Sequence, residues 1–155
     1  MAENTKSTLN IEQVVSDVLK TIEREREREI ISRRFGLFDR KETLEQIGEL
    51  LGITRERVRQ LEKAVVTRLK ATAAAKKLPQ IEDVQKQLAE QITTMGGTSR
   101  IQDLSAQFSA DNSRLDQARV AFLSELAPKL SVIDGNDFYF HAVGLTSLQI
   151  GRAHV

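Results

Sequence analysis

Two glycines four residues apart place the tightest constraint on this chain. Gly48 and Gly52 lie inside an apolar frame of Ile47, Leu51, Ile53, Val58 and Leu61. Gly52 supplies the left-handed backbone that a corner of about three or four residues needs. Gly48 leaves room for a second helix to cross the first closely. Ile53 plugs the corner, and Val58 and Leu61 face back onto Ile47 and Leu51. Thr43 opens the first helix with capping-box spacing, its hydroxyl followed three residues later by Gln46. That helix runs to Leu51. A second opens at Thr54 and continues to about Ala75 with no Gly or Pro to break it. The combination predicts a helix-turn-helix.

On a helical wheel the second helix separates two sets of side chains. Counting from Arg55, Arg59 falls at roughly 40°, Lys63 at 80°, Glu56 at 100° and Gln60 at 140°. Val58, Leu61, Val65 and Leu69 fall between roughly 240° and 320°. The outward arc therefore carries base-reading chemistry. Arg grips the two acceptors of guanine, Glu accepts from the cytosine amino group, and Gln pairs with adenine. A recognition helix enters the major groove by its N-terminal end, which favours Arg55, Glu56, Arg59 and Gln60. Arg57 and Lys63 flank this arc as phosphate contacts, with the amides at the helix starts marked by Thr43 and Thr54. The competing reading is an amphipathic helix whose charged face meets only water.

Charge is distributed to match. The whole chain is +1, yet residues 1–79 carry 17 Lys and Arg against 13 Asp and Glu, and residues 80–155 carry 6 against 9. Within 53–77 there are 8 basic residues and 2 acidic ones. A basic stripe on a near-neutral chain fits a phosphate footprint better than general stickiness does. No Cys is present, and the two His, His141 and His154, are far apart in sequence, so a metal site is not expected. Carboxylates are plentiful, but none pairs with a nucleophile or a nearby His in a catalytic pattern. The chain is read as no enzyme, with no cofactor and no small-molecule substrate. Its apolar runs are too short to span a bilayer and its polar start lacks a signal-peptide core, so a cytoplasmic, nucleoid-associated location is expected, with no membrane partner.

Low aromatic content (5%, no Trp) and 40% apolar residues suit helices packed through Leu, Ile and Val. Residues 1–10 read as a disordered tail. Ile11, Val14, Val15, Val18, Leu19 and Ile22 recur at helical spacing. The alternating run Glu23–Glu29 then reads as a solvated helical segment, with Glu and Arg meeting three residues apart. Ile30, Ile31, Phe35, Leu37 and Phe38 are apolar anchors, and Gly36 is a helix stop. Residues 11–75 are thus expected to form one unit and 76–80 a linker, with Pro79 at the boundary. Residues 81–146 give a helix, a turn at Gly96–Arg100, two more helices, and a hairpin signalled by Asp134-Gly135 between β-prone flanks. The expected fold class is mainly α, a helix-turn-helix bundle followed by a small winged helix of three helices and a β-hairpin.

The order "RFGL", "TLEQIGELLGITRERVRQLE" and a trailing basic helix, within about residues 24–70, closely resembles region 4 of the sigma-70 family of bacterial transcription initiation factors. The resemblance implies reading of the upstream promoter hexamer by the second helix, with double-stranded promoter DNA and RNA polymerase as partners. By position it implies that Arg55, Glu56, Arg59 and Gln60 face bases. It implies too that Thr43, Leu44, Thr54, Arg57 and Lys63 approach the DNA backbone. It assigns the preceding charged stretch to the part that packs on the polymerase flap; a solvated face is the alternative. A working initiation factor also needs aromatics that capture unstacked bases, and this chain has no Trp. The expectation is therefore a region 4 module attached to something else.

The second half resembles, in its element order, "TSRIQDLSAQF" and its aromatic hairpin, the winged domain of the RNA polymerase delta subunit. Phe138 and Phe140 would share one strand face, Tyr139 the other, and His141 is read as structural. Asp134 and Asp137 at the tip would repel phosphate, which favours protein binding or spacing over DNA contact. The last residues, "IGRAHV", can be encoded by the start of a sequencing adapter, so the natural chain is expected to extend beyond about Gln149, with 147–155 a tail. The main functional expectation is a sequence-specific DNA-binding protein of transcription initiation or its regulation. The alternative is a polymerase accessory or anti-sigma-type protein whose helix-turn-helix docks on protein.

Overall fold

Asn10 starts the first helix of the computed structural model, which describes residues 10–109, 111–133 and 142–146. Its Oδ1 accepts from the Gln13 amide at 3.1 Å and so satisfies one of the orphan donors of α1, Ile11–Lys20. The chain then breaks before α2, Glu25–Phe35. At this corner the Thr21 hydroxyl turns back onto the Val18 carbonyl at 2.6 Å, and the Arg28 guanidinium caps the carbonyls of Ile22 and Glu23.

The alternating charge run therefore does more than meet solvent. Glu27 is buried, and its carboxylate accepts from Arg68 at 2.7 Å across 41 residues. Arg33 bridges Glu29 at 2.5 Å and Glu42 at 2.7 Å. Of the expected anchors, Ile30, Ile31, Phe35 and Leu37 are buried, whereas Phe38 is 45% exposed and lies under Arg119, 5.6 Å from the guanidinium carbon. Gly36 ends α2 in the left-handed region, as its position predicts.

Next come α3, Leu44–Leu51, and α4, Arg55–Ala74. Ile30, Leu44, Ile47 and Val58 form a small core of their own, flanked by Leu51, Ile53 and Leu61. The turn to the next helix is short and tied down. Lys76 takes a left-handed backbone, and the amide of Lys77 donates to the Thr72 carbonyl at 3.0 Å. Leu78 is buried just before α5, Pro79–Thr94, where the proline occupies a first-turn position that needs no N–H.

The remaining elements are β1 (Thr98–Arg100), α6 (Ile101–Ala106), α7 (Arg114–Leu126), β2 (Leu130–Ile133) and β3 (Ala142–Leu145). They form an antiparallel sheet in the order β1-β3-β2, with Ser99 opposite Val143 and Val132 opposite Val143 on the other side. Thr98–Arg100, expected to be part of a turn, is thus an edge strand. Three polar residues give no alternation to read, and only the partner strand defines it. The expected hairpin is present as the β2–β3 pairing. Its tip, with Asp134, Gly135, Asp137, Phe138, Tyr139, Phe140 and His141, lies outside the described residues, as do 1–9 and 147–155. The described residues are mainly helical, with seven helices and this one small sheet, as the fold class predicts.

The larger core runs through both halves. Helix α7 packs against α1, α2, α4, α5, α6 and β2, and Ala118 through Ser124 are all buried. A helix apolar on most sides is one enclosed by neighbours. Helix α1, although first in sequence, lies against α5 and α7 rather than against the helix-turn-helix core.

Candidate nucleic-acid interface

The corner that aims α4 is fixed by backbone proximity. A Cβ on Gly48 would lie 2.6 Å from the Ile53 carbonyl oxygen, so only glycine allows the turn to close. Gly52 takes φ 73° and caps α3. Both helix starts are capped. Thr43 and Gln46 make the full capping box, with bonds of 3.1 and 2.9 Å, and Thr54 Oγ1 accepts from the Arg57 amide at 3.1 Å. Each hydroxyl keeps its own proton to donate to a phosphate oxygen.

Arg55, Glu56, Arg59 and Gln60 are all exposed on the first turns of α4, while Val58, Val65, Leu69 and Ala73 are buried. The helix thus presents the two arcs the wheel separates. The polar arc is ordered. Arg59 makes a bidentate pair with Glu56 at 2.6 and 3.0 Å, one turn apart. That hydrogen bond holds the Glu56 carboxyl below the usual glutamate range, and the same pairing raises the Arg59 pKa. Arg57 Nη1 lies 3.5 Å from Gln60 Oε1.

The backbone-contact set divides. Thr54, Arg57 and Lys63 are exposed and Thr43 is half-buried, but the Leu44 side chain is buried in the small core. Leu44 can meet a phosphate only through its amide, one of the free donors at the start of α3.

Beside the polar arc a groove of about 790 Å³ opens between α4 and the second half of the chain. Arg55, Arg59 and Lys63 line one wall, with Arg34, Lys41 and Lys70 completing a cationic surface. Glu125 of α7 and Val132 of β2 stand on the far side, and Lys70 bridges Glu125 at 2.7 Å. Arg34 Nε pairs with Glu62 at 3.2 Å. Arg34, Lys41 and Lys70 were absent from the sequence-derived set. Only the basic count of the 53–77 segment hinted at Lys70, and nothing in spacing signals the other two. Among the described residues no group of three or more His, Asp or Glu converges as a metal site would require. No helix among them is long and apolar enough to cross a membrane.

Comparison with known proteins fits this geometry. Residues 24–71 match the family described as "Sigma-70, region 4". The matched segment thus starts within the corner before α2 and ends inside α4. The chain is also similar to "RNA polymerase sigma factor SigA" of Bacillus sp, 41% identical over 69 residues. That alignment covers 44% of this chain but only 18% of the relative. Helix α7 and the sheet, which close the groove, lie beyond the residues matched by the family.

Proposed function

We propose that this chain is a sequence-specific DNA-binding protein acting in bacterial transcription initiation or its regulation. The first turns of α4 enter the major groove, where Arg55, Glu56, Arg59 and Gln60 read base edges. Thr43, Thr54, Arg57 and Lys63 hold the DNA backbone, joined by the Leu44 amide. The observation that carries this reading is the exposed polar arc on a helix capped by Thr54, whose corner depends on Gly48. The match to sigma-70 region 4 supports promoter DNA as the target and RNA polymerase as a companion. A cytoplasmic, nucleoid-associated location accords with that role, as does the absence of an enzymatic one.

The second half acts chiefly through protein contact or as a spacer, and not as a base-reading unit. Its helix α7, the one a winged helix would offer to DNA, is enclosed by neighbours along most of its length. The order α5-β1-α6-α7-β2-β3 supports the likeness to the delta-subunit domain. Selection of bound duplexes from a random pool, with and without polymerase, tests the main reading. A discrete enriched motif is expected. Binding without any preference removes the base-reading claim.

A further inference from the structure

The groove beside α4 does not end at the region 4 segment. Lys41 lines it and also lines a second cavity of about 530 Å³ on the other side. That second cavity is bounded by Gly36, Arg40 and Lys41 from the corner after α2, and by Arg114 and Gln117 from the first turns of α7. Arg40, Lys41 and Arg114 therefore converge from segments more than seventy positions apart in sequence. Asp39 is the carboxylate on this wall, and its Oδ1 accepts from the Arg40 amide at 2.8 Å. Like charges are crowded here. Burial together with the guanidiniums of Arg34 and Arg114 pulls the Lys41 pKa down to about 8.

We infer that Arg40, Lys41 and Arg114 form a phosphate subsite that continues the basic track of α4 onto the second half of the chain, and that its occupant is a backbone phosphate of the DNA flanking the bases read by α4. The inference rests on the DNA-binding reading only for the identity of the polyanion. Geometry supports a backbone phosphate over a base edge. The subsite offers guanidinium and ammonium groups at the end of a cationic groove, and cationic tracks of this kind follow phosphates without regard to sequence. It also gives the acidic second half one defined point of DNA contact, Arg114 at the start of α7.

The test uses the whole chain and a labelled random-sequence duplex, with affinity measured across a salt series. Arg114 is exposed, so Arg114→Gln is expected to fold normally, and its unfolding midpoint is recorded beside wild type. The variant is expected to bind every sequence more weakly and to flatten the slope of log K against log salt by about 0.9, the signature of one lost phosphate contact. Arg114→Lys is expected to restore the slope. An Arg114→Gln slope equal to wild type overturns the subsite. A slope that falls equally in both variants, together with a lowered midpoint, also overturns it, because a structural role would then explain the loss. Base discrimination does not enter this measurement, so failure of base reading leaves it intact. Titration of inorganic pyrophosphate, followed at the Lys41 and Arg114 side-chain resonances, separates the remaining source. Shifts there with an unchanged duplex slope would assign the cavity to a free phosphorylated ligand and overturn the DNA assignment.

Discussion

The buried guanidinium of Arg119 donates from Nε to the main-chain carbonyl of Leu37 at 2.9 Å, tying the corner after α2 to the interior of α7. The same group reaches Asp116 at 3.0 Å and comes within 4.0 Å of Glu12 on α1. One side chain thus joins three segments: the approach to the helix-turn-helix, the first helix and the central helix. Arg119→Met keeps the stem but leaves a buried carbonyl without its donor. It is expected to cost about 1–3 kcal/mol in denaturant unfolding. A change within roughly 0.5 kcal/mol, the range of an ordinary surface substitution, would show that this tie carries no stability.

Gly48→Ala sets two effects against each other. Alanine favours a helix interior by about 1 kcal/mol over glycine. Its Cβ, however, would lie 2.6 Å from the Ile53 carbonyl oxygen, a backbone atom that cannot swing aside. The clash is expected to win, with a net loss of about 1–3 kcal/mol and weakened DNA binding as the corner opens. Equal or greater stability of the variant would mean that α3 and α4 can cross without this close approach.

The Glu56–Arg59 pair predicts a pattern of specificity rather than of stability. Both side chains are more than half exposed, so breaking their pair is expected to leave the unfolding midpoint nearly unchanged. Arg59→Ala is expected to lower affinity for the preferred duplex by roughly tenfold to a hundredfold and to relax preference at one base pair. Lys63→Ala is expected to weaken all duplexes alike and flatten the salt slope by about 0.9. Should both variants lose affinity uniformly, Arg59 holds phosphate and reads no base. The acid limb follows from the lowered Glu56 pKa. Stabilisation from the pair is present above the ordinary glutamate pKa and is lost as pH falls through the folded value.

Lys41 gives a dependence of the same sign in an alkaline window. It releases its proton at about 8 in the folded chain, against an ordinary value of 10.5. Between those values the unfolded chain binds more protons, so this group makes stability rise with pH through that window. Below it, the cost of holding a charge beside Arg34 and Arg114 is fully present. Unfolding free energies at a series of alkaline pH values should show wild type gaining on Lys41→Met. Parallel profiles would place the Lys41 ammonium in an unstressed setting. Replacing Arg114 with Gln is expected to move the Lys41 titration upward.

The parts legible in sequence are those governed by neighbours along the chain. Gly48, Gly52, Thr43, Gln46 and Thr54 act within a few positions of themselves, and the wheel of α4 follows from a fixed helical period. Parts that depend on long-range meeting were not legible. Glu27 reads as one of a row of solvated charges, yet Arg68 lies beside it. Thr98–Arg100 reads as a turn because its strand character is imposed by β3. Lys41 and Arg114 carry no shared spacing, and only the docking of α7 against the corner after α2 brings them together. Leu44 shows the same divide: its side chain belongs to the small core, and only its amide faces outward at the start of α3.

The enclosure of α7 also bears on the order in which this molecule can assemble. Ile11–Lys20 leaves the ribosome before the helix it packs against, and that helix, Arg114–Leu126, emerges only after the helix-turn-helix has been made. The cluster of Ile30, Leu44, Ile47 and Val58 is local and can condense early. Val15 and Val18 must wait with their apolar faces open, which makes α1 the segment a nascent-chain chaperone would meet. The most local core thus belongs to the helix-turn-helix, and the last closure to the helix that holds it steady.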